Sequence, residues 1–244
     1  FVLHLNVADF AVAVERVVDI SLQGKPLIIA PLQAARATVH DMSDEAYQEG
    51  VRKGMGLQQA ARLCRSAHLL PPRFDLYQKA MSAFVRQARN YSPVLEPGIG
   101  DGHLFLDITG THRLIGTAPD VGWQLRKQVR KNLGIDPIWS VGTNKLVAKV
   151  ASRLVKPAGE YIVSPGEESS FLAPLPLLLL PGMQAQERVR LQEFNVRQIG
   201  QLAALGKRQL YTVFGRRGET LYNISRGRDD RPVQPQEHQA LCVS

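Results

Sequence analysis

The 244-residue chain is poor in cysteine, in aromatic residues and in long apolar runs, and each shortage removes a class of protein. Its two cysteines, Cys64 and Cys242, have no metal-ligand spacing and form no disulfide framework. A zinc ribbon and a secreted miniprotein are therefore excluded, and a reducing compartment is the default. No apolar run reaches the roughly 20 residues needed to span a bilayer. The nearest, Phe171 to Pro181, is interrupted by Pro174 and Pro176. No signal peptide is visible, and the chain opens on Phe1 rather than methionine, which predicts a part of a longer protein. What is present is ordinary globular composition, 44% hydrophobic and 21% charged, which argues against wholesale disorder. Thirty Lys and Arg against 22 Asp and Glu leave a formal charge of +8. That balance favours anionic partners such as nucleic acid, phosphates or acidic surfaces. The excess is local: residues 113–160 hold nine basic and three acidic side chains, and residues 185–231 hold ten and five. Residues 1–60 hold five and seven.

Periodicity predicts a strand over Val2 to Val7, a helix over Phe10 to Val18 and a short buried strand in Pro26-Leu-Ile-Ile-Ala. Helical pieces follow over 44–65, broken at Gly50, Gly54 and Gly56 and ended by Leu69-Leu-Pro-Pro. An amphipathic helix is expected from about Asp75 to Asn90, then a strand pair within Val94–Thr109 around a Gly-rich turn. Asp120 is positioned to cap a helix that runs to about Leu133; a strand over Pro137–Val141 and a helix over Lys145–Val155 complete the pattern. This order predicts an α+β domain of the split-βαβ, ferredoxin-like kind with an inserted helical block. Beyond Glu167 the chain reads as short helices around Gly-containing turns, as in a helix-hairpin-helix module whose turn amides hold phosphate without reading bases.

Ordered motifs carry a resemblance. His4-Leu-Asn-Val-Ala-Asp-Phe, Leu22-Gln-Gly-Lys-Pro-Leu-Ile-Ile, Gly50-Val-Arg-Lys-Gly-Met, Leu70-Pro-Pro-Arg-Phe-Asp-Leu-Tyr and Leu104-Phe-Leu-Asp-Ile-Thr occur in sequence. They are followed by Ser140-Val-Gly-Thr-Asn-Lys-Leu-Val-Ala-Lys, Leu180-Pro-Gly and Phe214-Gly-Arg-Arg-Gly-Glu-Thr-Leu-Tyr. The set resembles the catalytic core of a Y-family (DinB/UmuC-type) translesion DNA polymerase over nearly the whole chain. The resemblance implies a palm from residues 1–12 and 71–160, small fingers at 13–70 and a helix-hairpin-helix thumb at 161–231. Residues 232–244 would begin a linker to a little-finger domain.

Polymerisation in such a family uses divalent ions held by carboxylates. The positions that the resemblance assigns to them are Asn6, Gly102 and His103, none of which is a carboxylate. The steric gate aligns with Ala11, and the fingers residues that hold the triphosphate align with Asp44 and Tyr47. Taken together these changes resemble the non-catalytic ImuB-type branch of the Y family. That likeness implies an adaptor in damage tolerance and the SOS response, without enzymatic activity and without a cofactor. Its implied partners are a sliding clamp, an error-prone replicative-type polymerase and a RecA-like accessory protein, reached through regions beyond residue 244, in the bacterial cytoplasm at the nucleoid and away from membranes. Weak, sequence-independent binding to primer-template DNA is expected through Gly182, Gly215, Arg216, Arg217 and Gly218 in the hairpin turns, and through Lys149, Arg153 and Lys156. Two alternatives stand beside this reading. In one, Asp9, Asp101 and Asp107 rebuild a Mg²⁺ site in an active polymerase. In the other, Leu172–Pro181 docks proteins and DNA is not contacted.

Overall fold

Alternating side chains build the larger sheet of the computed structural model, which describes residues 1–235. Strand β1 (Val2–Asn6) turns Leu3 and Leu5 to one side and His4 and Asn6 to the other, because successive residues of a strand face opposite ways. Helix α1 (Phe10–Val18) follows directly. An insertion then holds β2 (Leu27–Ile29), β3 (Asp41–Met42), α2 (Asp44–Gln48), α3 (Leu57–Leu63) and β4 (His68–Leu70). The expected helical block is thus a small α+β unit. Its sheet has the order β3-β2-β4, with β4 parallel to β2, and covers a core of Ile28, Val39, Met42, Ala46, Val51, Ala60 and Cys64.

Helix α4 (Phe74–Ala88) leads into the hairpin β5 (Leu95–Pro97) and β6 (His103–Asp107). Next come α5 (Ala118–Leu133), β7 (Ile138–Gly142), α6 (Lys145–Leu154) and β8 (Glu160–Ile162). The larger sheet has the order β5-β6-β1-β7-β8, so β1 lies centrally between β6 and β7. Leu3, Leu5, Leu104, Leu106, Trp139 and Val141 of one sheet face join α1, α4 and α5 in the main core. Glu15, buried on α1, accepts from Arg73 and from the Tyr77 hydroxyl at 2.7 Å, which ties α1 to α4. Thr117, rather than Asp120, caps α5; Asp120 closes the capping box by accepting from the Thr117 N–H at 2.8 Å.

On the opposite sheet face, α6 packs against β1 and β7, and the Ser140 hydroxyl donates to the Ala148 carbonyl at 2.7 Å. Leu146 and Val150 of the same helix enter a second core made by the C-terminal helices. Those are α7 (Glu168–Leu172), α8 (Ala185–Glu193), α9 (Ile199–Ala204), α10 (Lys207–Phe214) and α11 (Arg217–Ile224). Leu172, Leu175, Leu177 and Leu180 are buried in this core, which corrects the expectation of a docking surface at Leu172–Pro181. Cys242 and most of the expected linker, from residue 236 onward, lie outside the described residues.

Candidate functional site

The sheet face away from the main core brings together Asn6 and His103, with α6 packed over it. Asn6 ends β1 and is paired in register with His103 at the start of β6. Asn6 is buried, and its Nδ2 has no hydrogen-bond partner. Gly102 immediately precedes His103 with φ +76°, and a Cβ there would lie 2.9 Å from the Val7 carbonyl oxygen and 2.9 Å from the Phe10 Cβ. No side chain of any kind fits that position without displacing α1.

His103 contacts His4, with the His4 Nε2 to His103 Nδ1 distance 3.0 Å. The buried His4 also bonds Ser152 Oγ of α6 through Nδ1 at 2.8 Å and stacks on Phe105. Burial holds the His4 imidazole well below its ordinary range, helped by His103 and by the cations Lys149, Arg153 and Lys156. His103 is lowered to about 4, first by burial, with Asp101 opposing and the same three cations reinforcing. Both rings are therefore neutral at pH 7.

A second group of charges lies where α1 meets the insertion. Asp41, buried on β3, accepts from the Ala11 N–H at 2.9 Å and pairs with Lys53 at 2.7 Å. Asp9, in the left-handed conformation at φ 48°, precedes α1 within electrostatic reach of Asp41, Lys53 and Lys156. Its carboxyl is raised to about 6, by burial first and then by Asp41. Ala11 is buried on α1, Asp44 is exposed at the start of α2, and Tyr47 is exposed beneath the Arg52 guanidinium at 3.8 Å. Asp41 had no motif to mark it, and Lys53 stood inside Gly50-Val-Arg-Lys-Gly-Met without a role assigned to it; both are near Asp9 only through the fold.

The residues of the alternative trio are not brought together. Asp101 caps the β5–β6 turn by accepting from the His103 N–H at 3.2 Å. Asp107 ends β6 opposite Val2, at the other end of the strand, and accepts from the Thr109 N–H at 2.9 Å. Asp9 faces Asp41 instead. A rebuilt site from Asp9, Asp101 and Asp107 is thereby corrected.

Farther along, the two expected hairpin turns meet each other. Arg217 donates to both carboxylate oxygens of the nearly buried Glu187, at 2.7 and 3.1 Å, and to the Gly182 carbonyl at 2.7 Å. It is a strut between the turns and not a free cation. Gly218 is buried because α10 crosses α11 closely: a Cβ there would lie 2.4 Å from the Leu210 carbonyl oxygen. Gly182, Gly215 and Arg216 remain at the turn surface, with Arg216 exposed.

Comparison with known proteins places this geometry. The pattern of the impB/mucB/samB family matches residues 5–153. The chain belongs to this family, the Y family of DNA polymerases. It is 32% identical over 243 residues to DNA polymerase IV of Neisseria meningitidis serogroup B, covering 100% of this chain and 76% of that protein. It is also 32% identical over 234 residues to DNA polymerase IV of Alkalilimnicola ehrlichii, covering 96% of this chain and 66% of that relative. The chain thus spans about two thirds of the length of such relatives. The solved structure of DinB from Sulfolobus solfataricus has the same fold, with a TM-score of 0.86 at 22% identity over 95% of this chain and 68% of that one.

These relatives overturn one set of expectations. They carry the name of an enzyme, so the reading of a non-catalytic adaptor, an ImuB-type pseudoenzyme with no cofactor, gives way, and the family implies a divalent ion. The residues at the expected positions do not fit such an ion. Asn6 offers an uncharged amide, Gly102 has no room for a side chain, and the His103 imidazole is engaged with His4. Among the described residues no group of three or more His, Cys, Asp or Glu is arranged to hold a metal.

Proposed function

We propose that this chain is the palm (1–12 and 71–160), fingers (13–70) and thumb (161–231) of a Y-family DNA polymerase that engages primer-template DNA in translesion synthesis. The observation that carries the reading is identity of 32% to DNA polymerase IV sequences over 96–100% of the chain. The fold supports it, as does the concentration of basic residues in the second half of the chain. DNA phosphates are held at the turn amides of Gly182 and Gly215, by Arg216 and along α6, in a salt-dependent and sequence-independent way. Arg217 and Gly218 serve by shaping the turns. Contacts with a sliding clamp or other replication proteins are assigned to parts outside the described residues.

The experiment is primer extension by the full-length protein, with Mg²⁺ and with Mn²⁺ supplied in turn. Extension past the first nucleotide is the expected result. DNA binding without extension in either ion would overturn the polymerase reading while leaving the DNA-binding part intact. Because Asn6, Gly102 and His103 supply no carboxylate, an active protein must draw its ion ligands from elsewhere, and no step through the ion is derived from these residues.

A further inference from the structure

Beyond α11 the chain crosses the larger sheet and rounds its open edge at β5. Asn144, which caps α6, donates to the Gly227 carbonyl at 2.7 Å and holds the start of this return. Val233 is buried against Val2, Ala148 and Phe105, on the sheet face that α6 covers. Gln234 then donates its N–H to the Glu96 carboxylate of β5 at 2.8 Å, and Lys145 of α6 holds the same carboxylate at 2.8 Å. Pro235 lines a groove between β5 and α4, the helix that packs on the other sheet face. Three consecutive residues thus carry the chain from one face to the other around an edge strand.

The groove encloses about 820 Å³. Val85 of α4 lines one wall, with Arg86 and Arg89 exposed beside it, and Leu95 and Pro97 of β5 line the other. Ile99, in the turn after β5, also lines it and is 93% exposed. One bare isoleucine is ordinary on a surface, but this one extends an apolar groove. The backbone of β5 adds a second observation. Val94 and Gly98 bond β6, and pairing alternates along an antiparallel strand, so the N–H and carbonyl of Leu95 point to the open edge. Leu95 is only 7% exposed, and among the described residues neither group has a partner. Buried backbone groups are nearly always paired.

We propose that this groove is the seat of residues 236–244 of this chain. The segment, Gln236-Glu-His-Gln-Ala-Leu-Cys-Val-Ser, is joined covalently to Pro235 and so starts at the groove. Nine extended residues reach about 30 Å, and the α4 wall from Gln78 to Arg89 is about 17 Å long. Its chemistry matches the walls: the apolar run Ala240–Val243 suits Val85, Leu95 and Ile99, and the Glu237 carboxylate suits the arginines. A strand from another molecule is a poorer occupant. Of the outward positions 93, 95 and 97, two are prolines without an N–H, and such an edge resists pairing with stray strands. A tethered segment needs fewer bonds, because attachment at Pro235 gives it an effective concentration of about millimolar order. This inference goes beyond the polymerase reading and does not rest on it.

The test is cross-linking of the native Cys242 to a cysteine placed in the groove by Ser82→Cys, in the full-length protein, with a short bismaleimide and mass spectrometry of the linked peptides. Ser82 is exposed on the α4 wall, and Cys64 is buried and does not compete. Ser170→Cys on α7 is the control, because the neighbouring Phe171 packs on Tyr161 of β8, at the opposite edge of the sheet. A link within one chain is expected, at least fivefold stronger from Ser82→Cys than from Ser170→Cys. Adding Ile99→Asp is expected to weaken it at least fivefold with the thermal midpoint unchanged, since that side chain is exposed. Leu241→Asp is expected to do the same from the segment's side. A link between two chains gives the groove to a second copy and overturns the proposal. So does a yield no higher at Ser82→Cys than at the control, or one that Ile99→Asp and Leu241→Asp leave unchanged. Primer extension plays no part in any of these outcomes.

Discussion

Asp9 illustrates how a residue's chemistry is set by neighbours that its own stretch of chain does not contain. With its carboxyl raised to about 6 by burial and by Asp41, the folded state holds a proton that the unfolded chain has released. Between about pH 4 and 6 the folded state binds more protons, so this residue's contribution to stability falls as pH rises through that window. Asp9→Asn removes the effect, and asparagine also tolerates the left-handed conformation at this position. The variant is expected to be more stable than wild type by about 1 kcal/mol at pH 7.5, with a smaller gain at pH 4.5. Urea unfolding at the two pH values measures it; an equal gain at both would remove the titration argument. The sequence shows Asp9 and Asp41 as two acids 32 positions apart, and no local pattern joins them. The positions of Asn6, Gly102 and His103, by contrast, were legible from the order of motifs, and the fold places Asn6 and His103 side by side.

At the scale of elements, the tie between α8 and α11 separates two arginines that read alike in sequence. Arg216 is exposed at the turn, whereas Arg217 neutralises Glu187, itself nearly buried. Arg216→Ala is expected to weaken DNA binding and flatten its salt dependence by about one phosphate contact while leaving the melting temperature unchanged. Arg217→Ala is expected to lower stability by about 1–3 kcal/mol, since Glu187 is left without its partner. Paired thermal melts and salt-titrated binding distinguish them, and identical behaviour would contradict the strut. The capping box of Gln184 and Glu187 and the link from Glu187 to Arg217, 30 residues on, both needed the packed structure. Elements long enough to show a period, such as α1, α4 and β1, were readable, while β4 and β8 were not. Each has three residues and pairs parallel with a distant strand, so register with a partner defines it more than its own composition does. The cap of α5 shows a finer ambiguity: Thr117 and Asp120 are both good capping residues, and only the reciprocal bonds decide which is which.

For the whole molecule, α6 is the wall that the sheet domain and the helical cluster share. Its Ala148 and Ser152 side meets the sheet, while Leu146 and Val150 are buried with the C-terminal leucines. Two cores with a common wall are expected to melt together. Val150→Ala, a cavity in the helical core worth about 2 kcal/mol, should shift the unfolding of both parts by the same amount. Fluorescence of Trp139, buried in the sheet core, follows one part, and far-ultraviolet dichroism follows the sum. A variant in which the Trp139 transition stays in place while the dichroism moves would show two independent units.

That shared helix is also a ruler. Ten residues at about 1.5 Å each give it a length near 15 Å. Packing along this one helix sets how far the sheet lies from the helical cluster, since Ala148 and Ser152 meet the sheet while Leu146 and Val150 are buried in the second core. One residue added within it would turn its later side chains by about 100°, so the same helix could no longer present Ser152 to the sheet and Val150 to the C-terminal core at once.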